Sequence, residues 1–247
     1  MAKYIAKIGK KGNIKLGSHT ATFSKLYSNK EIYINDVLGS VKGSCGHYCK
    51  GCENDCYVKK SYRYTSVKVG HATNTIAIRE QIKQAFIDIN LQIQRSKKHI
   101  DFFRINQSGE LESVFEFLAW CNTARQNPDT KFWVYSKAYD IIIPVLLSGV
   151  VPNNLTVLIS VWHDIGLNEY NAVKHLENVK AFVYVDGKKG TDGAWNENDY
   201  RAHDLDITTY CKAYDEKGKL NHDITCERCQ KCFNRLETSK VIGCLAH

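Results

Sequence analysis

The sequence predicts an α/β fold, a partial (β/α) barrel of five to six mostly parallel strands. Short apolar runs alternate with helix-length segments between residues 100 and 185. The runs are rich in Val, Ile and Phe along their whole length, as strands covered on both faces are. The segments between them are long enough for right-handed crossovers. The strands are too few to close a (β/α)8 barrel, and a doubly wound open sheet would leave the same local pattern.

Taken in order, residues 1–30 mix glycine with alternating polar and apolar residues and read as a small N-terminal β extension. Glu31–Asp36 is the first clear strand. A glycine- and cysteine-rich stretch follows, with a cysteine loop at 45–56. The stripe Ile76, Ile78, Ile82, Ala85, Phe86, Ile89 and Ile93 predicts a helix over about 74–97. Strands are then expected at Ile100–Asn106, Lys131–Ser136, Leu155–Val161 and Lys180–Val185. Helices are expected between them at Leu111–Arg125, Tyr139–Leu147 and Asn168–Leu176. Leu205–Tyr210 reads as a last strand, so the barrel body spans 31–210 and a cysteine-rich metal-binding segment spans 211–247. No interdomain linker stands out.

The composition narrows the function. The N-terminus lacks the apolar run of a signal peptide, and the longest apolar run, Ile141–Leu147, is too short to span a bilayer and contains Pro144. The chain is therefore expected to be soluble, cytoplasmic and without a membrane partner. In a reducing cytosol, ten cysteines point to metal ligation rather than disulfides. The formal charge is +8. Its basic runs (Lys7, Lys10, Lys11, Lys15; Lys59, Lys60, Arg63; Arg95, Lys97, Lys98) fit solvated faces or an anionic partner such as nucleic acid.

Seven of the cysteines fall in two tight groups. The first is Cys45, Cys49, Cys52 and Cys56; the second is Cys226, Cys229 and Cys232, with Cys211 upstream and Cys244 downstream. Spacings of two or three residues wrap one loop around a compact inorganic core, as iron–sulfur runs do. Zinc more often takes two separated Cys-x-x-Cys knuckles, and the second group, completed by Cys211 or Cys244, would also serve zinc. Cys121, alone on an apolar helix, reads as a core residue.

In a parallel barrel, function gathers at the C-terminal ends of the strands. Those ends carry Ser136 and Lys137, then Ser160, Trp162, His163 and Asp164. Lys137 suits a carboxylate or phosphate, Ser160 a ribose, and Trp162-His163-Asp164 a stacked ligand with a managed proton. The plainer roles are loops and helix caps, Asp164 among them.

The motif Cys45-x3-Cys49-x2-Cys52 resembles the cluster loop of radical SAM enzymes, and Ser108-Gly109-Glu110 resembles the Gly-Gly-Glu at the end of that family's next strand. The resemblance implies a [4Fe–4S] cluster held by three cysteines. It further implies an open iron for S-adenosylmethionine, a cofactor amino group held at Ser108, Gly109 and Glu110, and a reductant of flavodoxin or ferredoxin type. Two departures stand out: Gly51 precedes the third cysteine where an aromatic residue is common, and Cys56 is a fourth cysteine that would close the cluster. Within this broad group the chain resembles the phage-encoded "gene product 88" family of unassigned activity, which would place it in a host cytoplasm. Three functions follow as expectations. The first is a radical SAM-type enzyme with one or two [4Fe–4S] clusters. The second is a non-radical iron–sulfur electron carrier or redox sensor, and the third a zinc-stabilised nucleic-acid binder.

Overall fold

A computed structural model of the chain describes residues 4–9, 16–47, 52, 56, 58–162, 165–185, 205–207, 209–212, 221, 223–234 and 240–245. Its centre is a seven-stranded sheet in which every pairing is parallel. The strands are β1 (Thr20–Thr22), β4 (Phe102–Ile105), β5 (Lys131–Ser136), β6 (Leu155–Val161), β7 (Val179–Val185), β9 (Val241–Leu245) and β8 (Thr209–Tyr210), in that spatial order. β2 (Glu31–Asn35) and β3 (Gly39–Lys42) form a separate antiparallel hairpin. The sheet is open, with β1 and β8 at its edges, so no closed barrel forms among the described residues.

Strands β4 to β7 are neighbours in chain order. A single turn α1 (Val58–Ser61) and helix α2 (Thr65–Gln94) precede β4, and α3 (Val114–Gln126), α4 (Tyr139–Leu147) and α5 (Leu167–Val173) join β4 to β7. Helices α2 to α5 pack into one apolar cluster on one face of the sheet. There Phe86, Phe117, Ile142 and Val173 meet Phe103, Val134, Ile159 and Val183. A doubly wound sheet would reverse its strand order and put helices on both faces. This sheet is singly wound. The opposite face carries a second cluster built on Leu16, Trp133, Leu158, Ile242 and Phe233. β6, at the middle of the order, is buried at all seven positions, which is why its sequence shows no alternation.

The bounds expected for β5, α4 and β6 are the observed ones. Two sheet strands, β1 and β9, arise in the stretches read as an N-terminal extension and a cysteine-rich tail. Glu31–Asn35 is a strand but not one of the seven-stranded sheet. Its one-sided burial, with Tyr33 58% exposed and Ile34 buried, belongs to a half-solvated hairpin. That hairpin packs through Ile32, Ile34 and Val41 on Val69, Ala72 and Ile76 of α2. This contact starts the helix at Thr65, ahead of the apolar stripe at Ile76. α2 breaks its geometry once, at Gln81.

One charge pair lies deep in the fold. Lys25 and Glu116 have side chains of 0% exposure, with Nζ 2.8 Å from Oε2. Glu112 stands 3.2 Å from the same ammonium and also binds Arg79. Burial pushes the Glu116 carboxyl up, and Lys25 opposes that push. No helix among the described residues is long and apolar enough to cross a membrane.

Candidate metal centres

The first cysteine loop leaves the β2–β3 hairpin through Gly43 and Ser44. A Cβ on Gly43 would stand 2.2 Å from the carbonyl oxygens of Tyr27 and Ser28, so only glycine lets the strand pass so close. Ser44 Oγ donates to Leu26 O at 2.7 Å and accepts from Glu110 N at 3.2 Å. Cys45 N donates to Ser28 O at 2.8 Å. The root of the loop is thereby tied to the Ser108-Gly109-Glu110 turn. Gly109 has φ 82°, and a Cβ on it would lie 2.4 Å from Ser44 Oγ.

Cys45, Cys52 and Cys56 are described and partly buried; Cys49 lies outside the described residues. Burial first, then Glu110 and Cys56, push the Cys45 thiol up to about 12, with Lys137 pulling the other way. The Lys137 ammonium stands 3.8 Å from Cys52 Sγ and 4.5 Å from the centre of the Trp162 ring. Trp162 in turn stacks on Tyr184 at 4.0 Å and 7°. His47 Nε2 pairs with Asp140 Oδ1 at 2.6 Å, docking the loop on the first turn of α4.

Glu110 was expected to face a cofactor ammonium, yet its carboxylate is engaged by the protein itself. Oε1 accepts from Leu111 N (2.8 Å) and Ser136 Oγ (2.9 Å), and Oε2 accepts from Lys137 N (2.9 Å). It clamps the ends of β4 and β5 together. Ser108 is buried, with its hydroxyl beside that of Tyr62. Ser160 is buried on β6, where its carbonyl accepts from the Tyr139 hydroxyl. His163 and Asp164 lie outside the described residues.

The second group sits on the face opposite the crossover helices. Cys226–Cys229 forms one turn, α6, capped by Thr225. Gln230, at φ 54°, then turns the chain so that Cys232 comes back alongside. Cys211, Cys226, Cys229 and Cys232 line one cavity with Tyr135 and Ile242. Cys211 reaches it because its N–H donates to Gly243 O at 2.8 Å. Cys244, on β9, is not among the lining residues. Burial raises the Cys232 thiol strongly, Cys211 adds most among the neighbouring thiols, and a hydrogen bond with Tyr135 opposes the rise.

The segment is held by groups the sequence does not flag. Phe233 stacks on Trp133 at 4.4 Å and leans on Phe102 at 5.0 Å. Lys180, 1% exposed, donates to Lys231 O at 2.6 Å and Asn234 O at 2.9 Å. Glu227 accepts from the Thr20 hydroxyl at 3.1 Å and from His19 N. A lysine at the second position of a β-strand carries no sequence signal of this role.

The donors suit a soft metal: four thiols on one cavity, with neither carboxylate nor imidazole lining it. Among the described residues, no group of three or more His, Cys, Asp or Glu stands as the cage of a single ion. The four cysteines share one cavity and are of the right kind for iron–sulfur or zinc, but as placed their sulfurs are not gathered around one ion. Cys121, fully buried on α3, has its thiol pushed up to about 12 by burial. Cys121→Ser is expected to leave metal content unchanged in elemental analysis, and metal loss would make it a ligand.

No curated protein and no solved structure matches this chain. A family model described as gene product 88 matches residues 7–235, covering the cysteine loop, the sheet from β1 to β8 and the three-cysteine turn. On that match the chain belongs to the gene product 88 family.

Proposed function

We propose that this protein is an iron–sulfur protein whose first site serves radical SAM-type hydrogen abstraction from a substrate yet to be identified. Cys45, Cys49 and Cys52 would hold the first cluster, and Cys211, Cys226, Cys229 and Cys232 the second. The observation that carries this reading is the tie through Ser44 between the cysteine loop and the Ser108-Gly109-Glu110 turn, at the C-terminal edge of a parallel sheet. That edge is where enzymes of related architecture keep their chemistry. When bound, a reduced [4Fe–4S] cluster supplies one electron, and S-adenosylmethionine supplies the group which that electron releases.

The chain's own residues supply the surroundings. The Lys137 ammonium beside Cys52 offsets thiolate charge, and its contact with Trp162 keeps it there. Trp162 stacked on Tyr184 offers an apolar wall that excludes water from the mouth. Tyr135 interacts with Cys232 and tempers the charge of the second site. An external flavodoxin- or ferredoxin-type protein would deliver electrons, in a cytoplasmic setting.

Anaerobic purification with iron, acid-labile sulfide and zinc analysis tests the metal assignment. Brown protein with iron and sulfide is the expected result, and colourless protein with stoichiometric zinc would overturn it. Adding S-adenosylmethionine to the reduced protein is expected to change the electron paramagnetic resonance of the first cluster. A second reading, a non-radical electron carrier or sensor, rests on Cys56, which is close enough to raise the Cys45 thiol. An unchanged spectrum with four cysteine ligands on the first cluster would favour it.

A further inference from the structure

At the N-terminal ends of β1 and β4, opposite the cysteine loop, lies a cavity of ≈ 420 Å³. Arg95, Lys97 and Lys98, in the turn that ends α2, line it together with Ser96, His19 and His99. The three cations are exposed, and none forms an ion pair among the described residues. The neighbouring carboxylates are engaged by groups other than these cations. Asp101 holds His19 Nδ1 at 3.1 Å on one oxygen and His99 Nδ1 at 2.7 Å on the other. Glu227 accepts from the Thr20 hydroxyl and His19 N.

Three cations therefore line one concave space, and none of them is paired with a carboxylate among the described residues. A guanidinium fork, two mobile ammonium groups and a hydroxyl match the several oxygens of a phosphate group. No Phe, Tyr or Trp lines the cavity, and its two imidazoles are both paired with Asp101, so a nucleotide here would be gripped chiefly by its phosphate. We propose that this cavity binds the phosphate groups of an anionic ligand, either the backbone of a polynucleotide or a free phosphate ester. The site uses no cysteine of either group, and it stands whether or not the chain carries an iron–sulfur cluster.

The test compares two triple variants with the same charge loss. Arg95→Ala/Lys97→Ala/Lys98→Ala empties the cavity wall. Lys59→Ala/Lys60→Ala/Arg63→Ala removes an equal charge from exposed positions near the cysteine loop. The probes are a labelled short single-stranded DNA, adenosine monophosphate and inorganic phosphate, each titrated over a range of salt. The cavity variant is expected to lose binding while the control keeps it. With DNA, its slope of log K against log salt should fall by about two, or about 0.7 for each of three lost phosphate contacts. Ser96→Asp, which keeps all three cations but sets a carboxylate among them, should weaken binding as well. Loss confined to DNA assigns the site to a polynucleotide backbone. Loss confined to adenosine monophosphate or phosphate assigns it to a free ester. Equal loss in the two triple variants, or no binding of any probe to the unaltered protein, would overturn the proposal.

Discussion

Glu116→Ala is expected to lower the free energy of unfolding by about 3–5 kcal/mol, read as a fall in the urea midpoint, because it strands a buried charge. Lys25 is fully buried, and its closest carboxylate, at 2.8 Å, is Glu116. The remaining partner, Glu112, is 3.2 Å away, 24% exposed and shared with Arg79. Glu116 Oε2 also accepts from Glu112 N at 2.9 Å, so the variant loses the link that orders the start of α3. The double variant Lys25→Met/Glu116→Leu should recover most of the loss, since an apolar pair of similar volume removes both buried charges together. A single-variant loss below about 1 kcal/mol would mean that Glu112 takes over the ammonium, at the strength of an exposed pair. The effect reaches the candidate site, because a Cβ on Gly109 would stand 2.7 Å from Lys25 Cβ. The pair thus sets the floor on which the Ser108–Glu110 turn rests.

Glu110→Ala is expected to cost about 3 kcal/mol or more, since one buried carboxylate satisfies three donors and each orphaned buried donor costs about 1–3 kcal/mol. The donors are Leu111 N, Ser136 Oγ and Lys137 N. Glu110→Gln should lose much less, because the amide oxygen still accepts from part of this set. The alanine variant also frees the backbone of Lys137, so the ammonium should leave Cys52 and, if the proposed cluster is there, iron content should fall. Denaturation and iron analysis on both variants separate two roles. A destabilised alanine variant with reduced iron fits the clamp. A fully stable variant that has lost only its response to S-adenosylmethionine would make Glu110 a cofactor ligand instead.

Much of this molecule can be read from local pattern. β5, α4 and β6 keep their expected bounds because each is a short apolar run bracketed by polar or turn residues. β1 and β9 are missed for the opposite reason. Thr20–Thr22 has no apolar run, and Val241–Leu245 carries a cysteine that drew it into the metal-binding tail. Both become strands only by pairing with β4 and β7, far away in the chain. The alternation in Glu31–Asn35 was the available sign that this strand stands half in water, outside the main sheet.

The sequence by itself determined the α/β class and the two groups of short-spaced thiols, since periodicity and spacing are local properties. Only the tertiary structure decided that the sheet is singly wound, with helices α2 to α5 on one face. The same βα rhythm serves either winding, and the choice rests on which side each crossover packs. Tertiary structure also brought Cys211 to the cavity of Cys226, Cys229 and Cys232. That placement depends on a backbone bond from Cys211 to Gly243 and on Lys180 holding Lys231 and Asn234. These contacts join residues more than thirty apart, where burial and hydrogen-bond completion decide the partner and local sequence carries no trace of it.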